Sequence, residues 1–138
     1  MSSLDLGLIG NCSISVLIDK QARIVWWCLP RYDGDPVFHA LLGSRSGDPA
    51  DGAFTIEIEG QARTEQSYIT NTAILSTRIY AEDGTAVEII DHAPRFEARG
   101  RTFRPTQFVR QVRPLVGRPR IRIRIRPVFG WAQAAPEI

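Results

Sequence analysis

The run Trp26-Trp27-Cys28-Leu29-Pro30-Arg31-Tyr32-Asp33 brings two indoles, a guanidinium, a phenol and a carboxylate into one short segment. Aromatic faces stack on sugar rings and charged groups hydrogen-bond their hydroxyls, so this segment has the chemistry of a carbohydrate contact. Adjacent strand residues point to opposite faces, so one of Trp26 and Trp27 faces a core and the other does not. The register argued below makes Trp26 the core member. Trp27 then joins Arg31, Tyr32, Asp33 and Phe38 as candidates for a substrate entrance or a domain interface. Cleaving a glycosidic bond requires two carboxyl groups at a fixed separation, about 6.5–9.5 Å in an inverting enzyme. No such pair identifies itself, and no catalytic residue is assigned.

Other chemistries have less behind them. Asp33, Asp35, Asp48 and Asp51 are oxygen donors, but the spaced-ligand loop of an EF-hand is missing. Aspartates that bond their own turn backbone explain them better, and no metal is expected. His39 and His92 are the only histidines, and no Gly-x-Ser-x-Gly elbow offers a nucleophile. His92, in Asp91-His92-Ala93-Pro94, reads as a strand end. Gly7-Leu8-Ile9-Gly10 matches a nucleotide fingerprint poorly and opens no helix, so no cofactor is expected. Cys12 and Cys28 are too few for a disulfide framework and fit no zinc spacing. In a reducing compartment two buried free thiols are expected.

Charge is unevenly spread. Residues 1–94 carry 6 basic and 13 acidic side chains, whereas residues 95–126 carry 11 arginines against Glu97 alone. In Arg120-Ile121-Arg122-Ile123-Arg124-Ile125-Arg126 the period of two turns Ile121, Ile123 and Ile125 toward a core and the arginines the other way. Glu57 and Glu59, on the polar face of another strand, can neutralise those arginines. Packing of the arginine face on another domain is the second reading. Nucleic acid comes last, because aromatic side chains are not interleaved with these arginines as a stacking platform requires.

The elements that position these residues are strands. Residues 13–18 put Ile14, Val16 and Ile18 on one face, and residues 23–28 put Ile24, Trp26 and Cys28 on one face. A hairpin turning about Lys20 sets Ile14 opposite Trp26, Val16 opposite Ile24 and Cys12 opposite Cys28. A one-residue slip would spoil that match. Residues 37–42 suit one or two helical turns, and residues 44–52 a loop. Residues 54–59 alternate, and Gly60 ends them. Residues 68–80 and 85–91 flank Glu82-Asp83-Gly84, a strong hairpin signal. Residues 103–112 and 120–128 supply two more strands. The pattern predicts one all-β domain over residues 1–138, an antiparallel β-sandwich. The longest apolar run, residues 24–29, is far too short for a membrane helix, and the N-terminus has no basic, hydrophobic leader. A cytoplasmic, non-membrane protein is expected.

Several blocks carry a resemblance. Leu8-Ile9-Gly10-Asn11-Cys12, Leu17-Ile18-Asp19, Trp27-Cys28-Leu29-Pro30-Arg31-Tyr32-Asp33 and Val37-Phe38-x-Ala40-Leu41-Leu42 resemble the start of bacterial glycoside hydrolase family 15 proteins, the glucoamylase and trehalase-like enzymes. Tyr68 with Asn71-Thr72-Ala73-Ile74-Leu75-Ser76-Thr77, Asp83-Gly84, Asp91-x-x-Pro94 and Val109-Arg110-Gln111-Val112 follow in order. Asp33-Gly34-Asp35-Pro36 stands where the family more usually has Asp-Ser-Pro-Ser. The resemblance implies a non-catalytic, supersandwich-like N-terminal domain that packs on an (α/α)6 barrel. In that family the barrel carries an acid and a base glutamate and hydrolyses α-glucosidic bonds with inversion, on glucans or trehalose. The family's sandwich is longer than this chain, which implies a piece of a larger domain whose open sheet edge would invite self-association. The competing readings are an independent carbohydrate-binding module and, behind it, an arginine-rich nucleic-acid binder.

Overall fold

The computed structural model describes residues 4–43, 47–129 and 131. In chain order the strands are β1 (Gly7–Gly10), β2 (Ser15–Ile18), β3 (Ile24–Leu29), β4 (Asp35–Phe38), β5 (Phe54–Ile58) and β6 (Gln61–Tyr68). They continue with β7 (Leu75–Ala81), β8 (Ala86–His92), β9 (Phe96–Ala98), β10 (Arg101–Phe103), β11 (Val109–Val116) and β12 (Ile121–Ile125). The helical element among the described residues is a single 3-10 turn, Ala40–Leu42. No described helix is long and apolar enough to cross a membrane.

Every pairing is antiparallel, as the short hairpin connections β1–β2, β2–β3, β6–β7 and β7–β8 require and as the distant pairs β5–β12 and β8–β11 also show. One sheet runs β1-β2-β3-β5-β12, with β4 also on β3; the other runs β11-β8-β7-β6. β9 and β10 form a separate two-stranded ribbon. The two large sheets stack as a sandwich, with β1 over β7 and β8 and β5 over β7. Their facing side chains make the core. Ile9, Val16, Ile18, Ile24, Phe38 and Leu75 fill one half, and Ile56, Ile58, Ile79, Val87 and Ile89 the other. Each fully buried aliphatic side chain contributes roughly 1.5–3 kcal/mol of transfer free energy, so this layer is the main source of stability.

The β2–β3 hairpin departs from the expected register. Val16 faces Trp27, Leu17 faces Trp26 and Ile18 faces Ile24. The turn is longer than a loop centred on Lys20 because Asp19 organises it. Asp19 Oδ1 accepts the backbone N–H groups of Gln21 (3.0 Å) and Arg23 (2.9 Å), and Ala22 takes the left-handed conformation at φ 61°. Between the two pairings Val25 is an extra residue, a β-bulge that reverses the facing of everything beyond it. Trp27 therefore shares the inner face with Val16, and Trp26 the outer face with Leu17. The expected Cys12–Cys28 opposition disappears as well. Both thiols are free, Cys28 buried and Cys12 exposed at φ 72°.

Other boundaries move for local reasons. Residues 37–42 divide between β4 and the 3-10 turn rather than forming a helix. Residues 68–80 are not one strand: residues 69–74 turn the chain, with Asn71 at φ 59°, between β6 and β7. Asp83-Gly84 makes the expected hairpin, Gly84 at φ 86° and Asp83 Oδ1 accepting from the Thr85 N–H at 2.8 Å. Gln61–Tyr68 is a strand without hydrophobic alternation, its largely exposed, polar residues leaving no periodic signal in the chain.

Candidate functional site

Three connections meet at one end of the sandwich: the β1–β2 turn, the β3–β4 loop, and the excursion from β8 to β11 that contains β9 and β10. Asn11 joins two of them. Its side chain is 2% exposed, and all four hydrogen-bonding positions of the amide are used. Nδ2 donates to the carbonyls of Pro94 (2.9 Å) and Pro105 (2.8 Å), the two feet of the excursion. Oδ1 accepts the N–H groups of Ser13 (3.0 Å) and Ile14 (3.2 Å). Beside it Arg95 Nη1 donates to Cys12 Sγ at 3.1 Å. The Thr106 hydroxyl donates to the Pro30 carbonyl at 3.4 Å and brings in the third loop.

The β3–β4 loop begins at a cis Leu29-Pro30 bond. Arg31 Nη2 donates to Asp33 Oδ2 at 3.0 Å across the turn, both side chains mostly in solvent. Gly34 returns its N–H to the Arg31 carbonyl at 2.9 Å. A Cβ at Gly34 would sit 2.3 Å from the Leu29 carbonyl oxygen, so the backbone passes there too closely for any side chain. Tyr32 is 65% exposed. Arg31, Tyr32 and Asp33 thus stand together on the loop surface, whereas Trp27 and Phe38 do not. Their rings stack at 6.2 Å and 19°, and Trp27 also meets Phe108 at 5.6 Å. They form the apolar bed under the loop. Trp26 faces outward instead, against Trp131 at 6.3 Å, and Trp131 Nε1 donates to Asp35 Oδ1 at 3.0 Å.

Behind the loops lies an ion pair whose two residues sit in separate motifs with no chemical pattern linking them. Arg110 donates from Nε (2.7 Å) and Nη2 (2.9 Å) to the two oxygens of Asp91, with both side chains almost wholly buried. The guanidinium carbon lies 4.8 Å from the Phe54 ring centre, on the opposite sheet. Burial pushes the Asp91 carboxyl above its ordinary value, against the pull of Arg110. The pair ties β11 to β8 and carries a charge across to β5, which is structural work.

On the outer face of the four-stranded sheet a concavity of about 380 Å³ brings Glu65, Tyr68, Arg78, Glu88 and Arg113 together. Glu88 is not a free acid there. It accepts from Ser76 Oγ (2.9 Å), Arg78 Nε (3.2 Å) and Arg113 Nε (2.6 Å). Burial raises its pKa, but those three donors outweigh burial and hold it below the usual glutamate range. A carboxylate so saturated neither gives nor takes a proton at neutral pH. Cys28 is equally unreactive: burial first, then the Asp35 charge, push its thiol upward. No group of three or more His, Cys, Asp or Glu that could hold a metal occurs among the described residues.

Three arginines of the 120–126 run meet carboxylates as expected, and Arg122 meets none among the described residues. Arg124 reaches Glu57 at 2.8 Å, Arg126 reaches Asp48 (2.7 Å) and Asp51 (2.9 Å), and Arg120 lies 3.9 Å from Glu59. Their isoleucine face is not buried as expected. Ile121, Ile123 and Ile125 are 41%, 51% and 56% exposed, because no described strand of the second sheet covers them.

This arrangement holds loops and sheets in place and offers no described acid–base pair. The chain is 38% identical over 90 residues to Trehalase 1 of Sulfolobus acidocaldarius, which covers 64% of this chain and 15% of that protein. It is 29% identical over 73 residues to Trehalase of Mycolicibacterium smegmatis, covering 53% of this chain and 10% of that protein. The chain thus spans a small fraction of the relatives it matches. No solved structure matches it. The family model for the trehalase-like N-terminal domain matches residues 4–138, and the chain belongs to that family.

Proposed function

We propose that the chain is the non-catalytic N-terminal β-sandwich of a glucoamylase- or trehalase-like hydrolase of glycoside hydrolase family 15. It packs against an (α/α)6 catalytic domain that cleaves α-glucosidic bonds with inversion. The observation that carries this reading is the open side of the sandwich. The inward-turned Ile121, Ile123 and Ile125 of β12, paired with Ile58, Ile56 and Phe54, are half bare. An apolar sheet face of that kind belongs against more protein. Both relatives are trehalases that extend far past the matched segment, which supplies the candidate for that cover.

Within the parent, Arg31, Tyr32 and Asp33 form the rim of the substrate entrance, and Trp27 and Phe38 hold that rim from below. Replacing Arg31 and Tyr32 with alanine in the full-length parent tests this. A several-fold loss of kcat/KM on trehalose or maltooligosaccharides, with unfolding unchanged, is the expected result. Unaltered kinetics would remove the rim from the entrance. Sugar release by the isolated chain would contradict the whole reading. Saturable quenching of its tryptophans by the same sugars would favour an independent binding module.

A further inference from the structure

We propose that the β9–β10 ribbon is a docking prong that seats on an apolar patch ringed by carboxylates on the catalytic domain of the same polypeptide. The proposal rests on the parent being the two-domain hydrolase described above.

The ribbon belongs to neither large sheet. Two-stranded ribbons alone in water are marginally stable, so one held clear of the core needs something to lean on. Its base is fixed: Asn11 grips Pro94 and Pro105, where the chain leaves and rejoins the sandwich. Its tip is a two-residue turn with Arg99 at φ 51° and Gly100 at φ 72°, the left-handed pair that matches strand twist. The ladder pairs Phe96 with Phe103, Glu97 with Thr102 and Ala98 with Arg101. The two phenylalanine rings stack at 5.3 Å and 13°, yet remain 52% and 43% exposed. Among the described residues that apolar surface is left half open.

Charge selects the partner. Elsewhere most arginines meet carboxylates, with Arg118 and Arg122 the exceptions among the described residues: Arg78 and Arg113 share Glu88, Arg110 has Asp91, and Arg124 has Glu57. Arg99, Arg101 and Arg104 have no carboxylate partner among the described residues. Four arginines against Glu97 in residues 95–104 leave the ribbon strongly cationic. An acidic protein surface with an apolar centre satisfies both features. A nucleic acid satisfies them less well, because the two rings already stack on each other and Glu97 opposes a phosphate backbone. The relatives supply a tethered partner, since 85–90% of their length lies outside the match, the complement of the 15% and 10% covered. Tethering raises the effective concentration of such a contact without any further interaction.

Hydrogen exchange across residues 95–104 of the full-length parent tests the proposal. The ribbon amides should be protected at least tenfold beyond free-peptide rates. Phe96→Ser with Phe103→Ser, and separately Arg99→Glu with Arg101→Glu, should each remove that protection while β7 and β8 exchange as before. An active parent whose ribbon exchanges freely would overturn the proposal and leave the functional reading intact. Salt-sensitive retention of single-stranded DNA that the Arg99→Glu, Arg101→Glu variant abolishes would overturn it in favour of nucleic acid. A wild-type dimer that the same variant converts to monomer would overturn it in favour of a second copy. A parent with no hydrolase activity would overturn both.

Discussion

The two long sides of this sandwich are finished differently. Along β1 and β6 the edges are tied. Tyr68 Oη accepts from the Leu8 N–H at 2.8 Å and donates to the Leu8 carbonyl at 2.7 Å, so it occupies edge groups of β1 that would otherwise face water. Gln66 Nε2 adds bonds to the Asp19 carbonyl (2.8 Å) and Thr77 Oγ1 (3.0 Å). Along β12 the inner face runs out into solvent, with Ile121, Ile123 and Ile125 about half exposed, while ion pairs hold the outer faces of β12 and β11 through Arg124–Glu57 and Arg113–Glu88. One side behaves as a completed domain and the other as an interface. The difference teaches where this fold expects its neighbour.

The largest effect should come from the buried pair that braces the open side. Arg110→Met leaves the Asp91 carboxylate without its partner and should cost about 3–5 kcal/mol, read from equilibrium unfolding. Next, Ile79→Ala in the closed core should cost about 2–5 kcal/mol by leaving a cavity. Ile123→Ala should cost much less in the isolated chain and clearly more in the full-length parent. Equal costs for Ile123→Ala in both settings would break the comparison. Tyr68→Phe removes the clamp on β1 and should cost about 0.5–1.5 kcal/mol, with faster exchange confined to that edge.

The smallest effect is a pH dependence. The Glu88 pKa lies below its unfolded value, so its stabilisation is complete above the unfolded pKa and is lost as pH falls through the folded one. Glu88→Gln should therefore flatten the acid limb of a stability–pH curve. Asp91 acts with the opposite sign, because its folded pKa is raised and its ionisation costs stability as pH climbs past that value.

Much of this was legible in the chain. Period-two alternation in residues 54–59 and 120–126, and the Asp83-Gly84 turn, follow from side-chain geometry that any sheet must obey. What could not be read were the places where one residue changes parity. Val25 bulges out and reverses Trp26 and Trp27, a consequence of how Asp19 closes its turn rather than of any hydrophobic pattern. Gln61–Tyr68 stayed hidden because an edge strand needs no apolar face. At the loop end, Asn11, Asp91 and Arg110 stood inside recognisable motifs, but their partners lie 83, 94 and 19 residues away. Composition and periodicity do not register such long-range polar contacts. Arg31, Tyr32 and Asp33 do stand together as read, since a short rigid loop keeps near neighbours near.

The most direct test compares amide exchange in the isolated chain with that in the full-length parent, strand by strand. Protection should rise sharply along β11 and β12 when the remainder of the polypeptide is present, and stay level along β6 and β7. Identical protection of β12 in both forms would contradict the assignment of that face as the seat of a neighbouring domain.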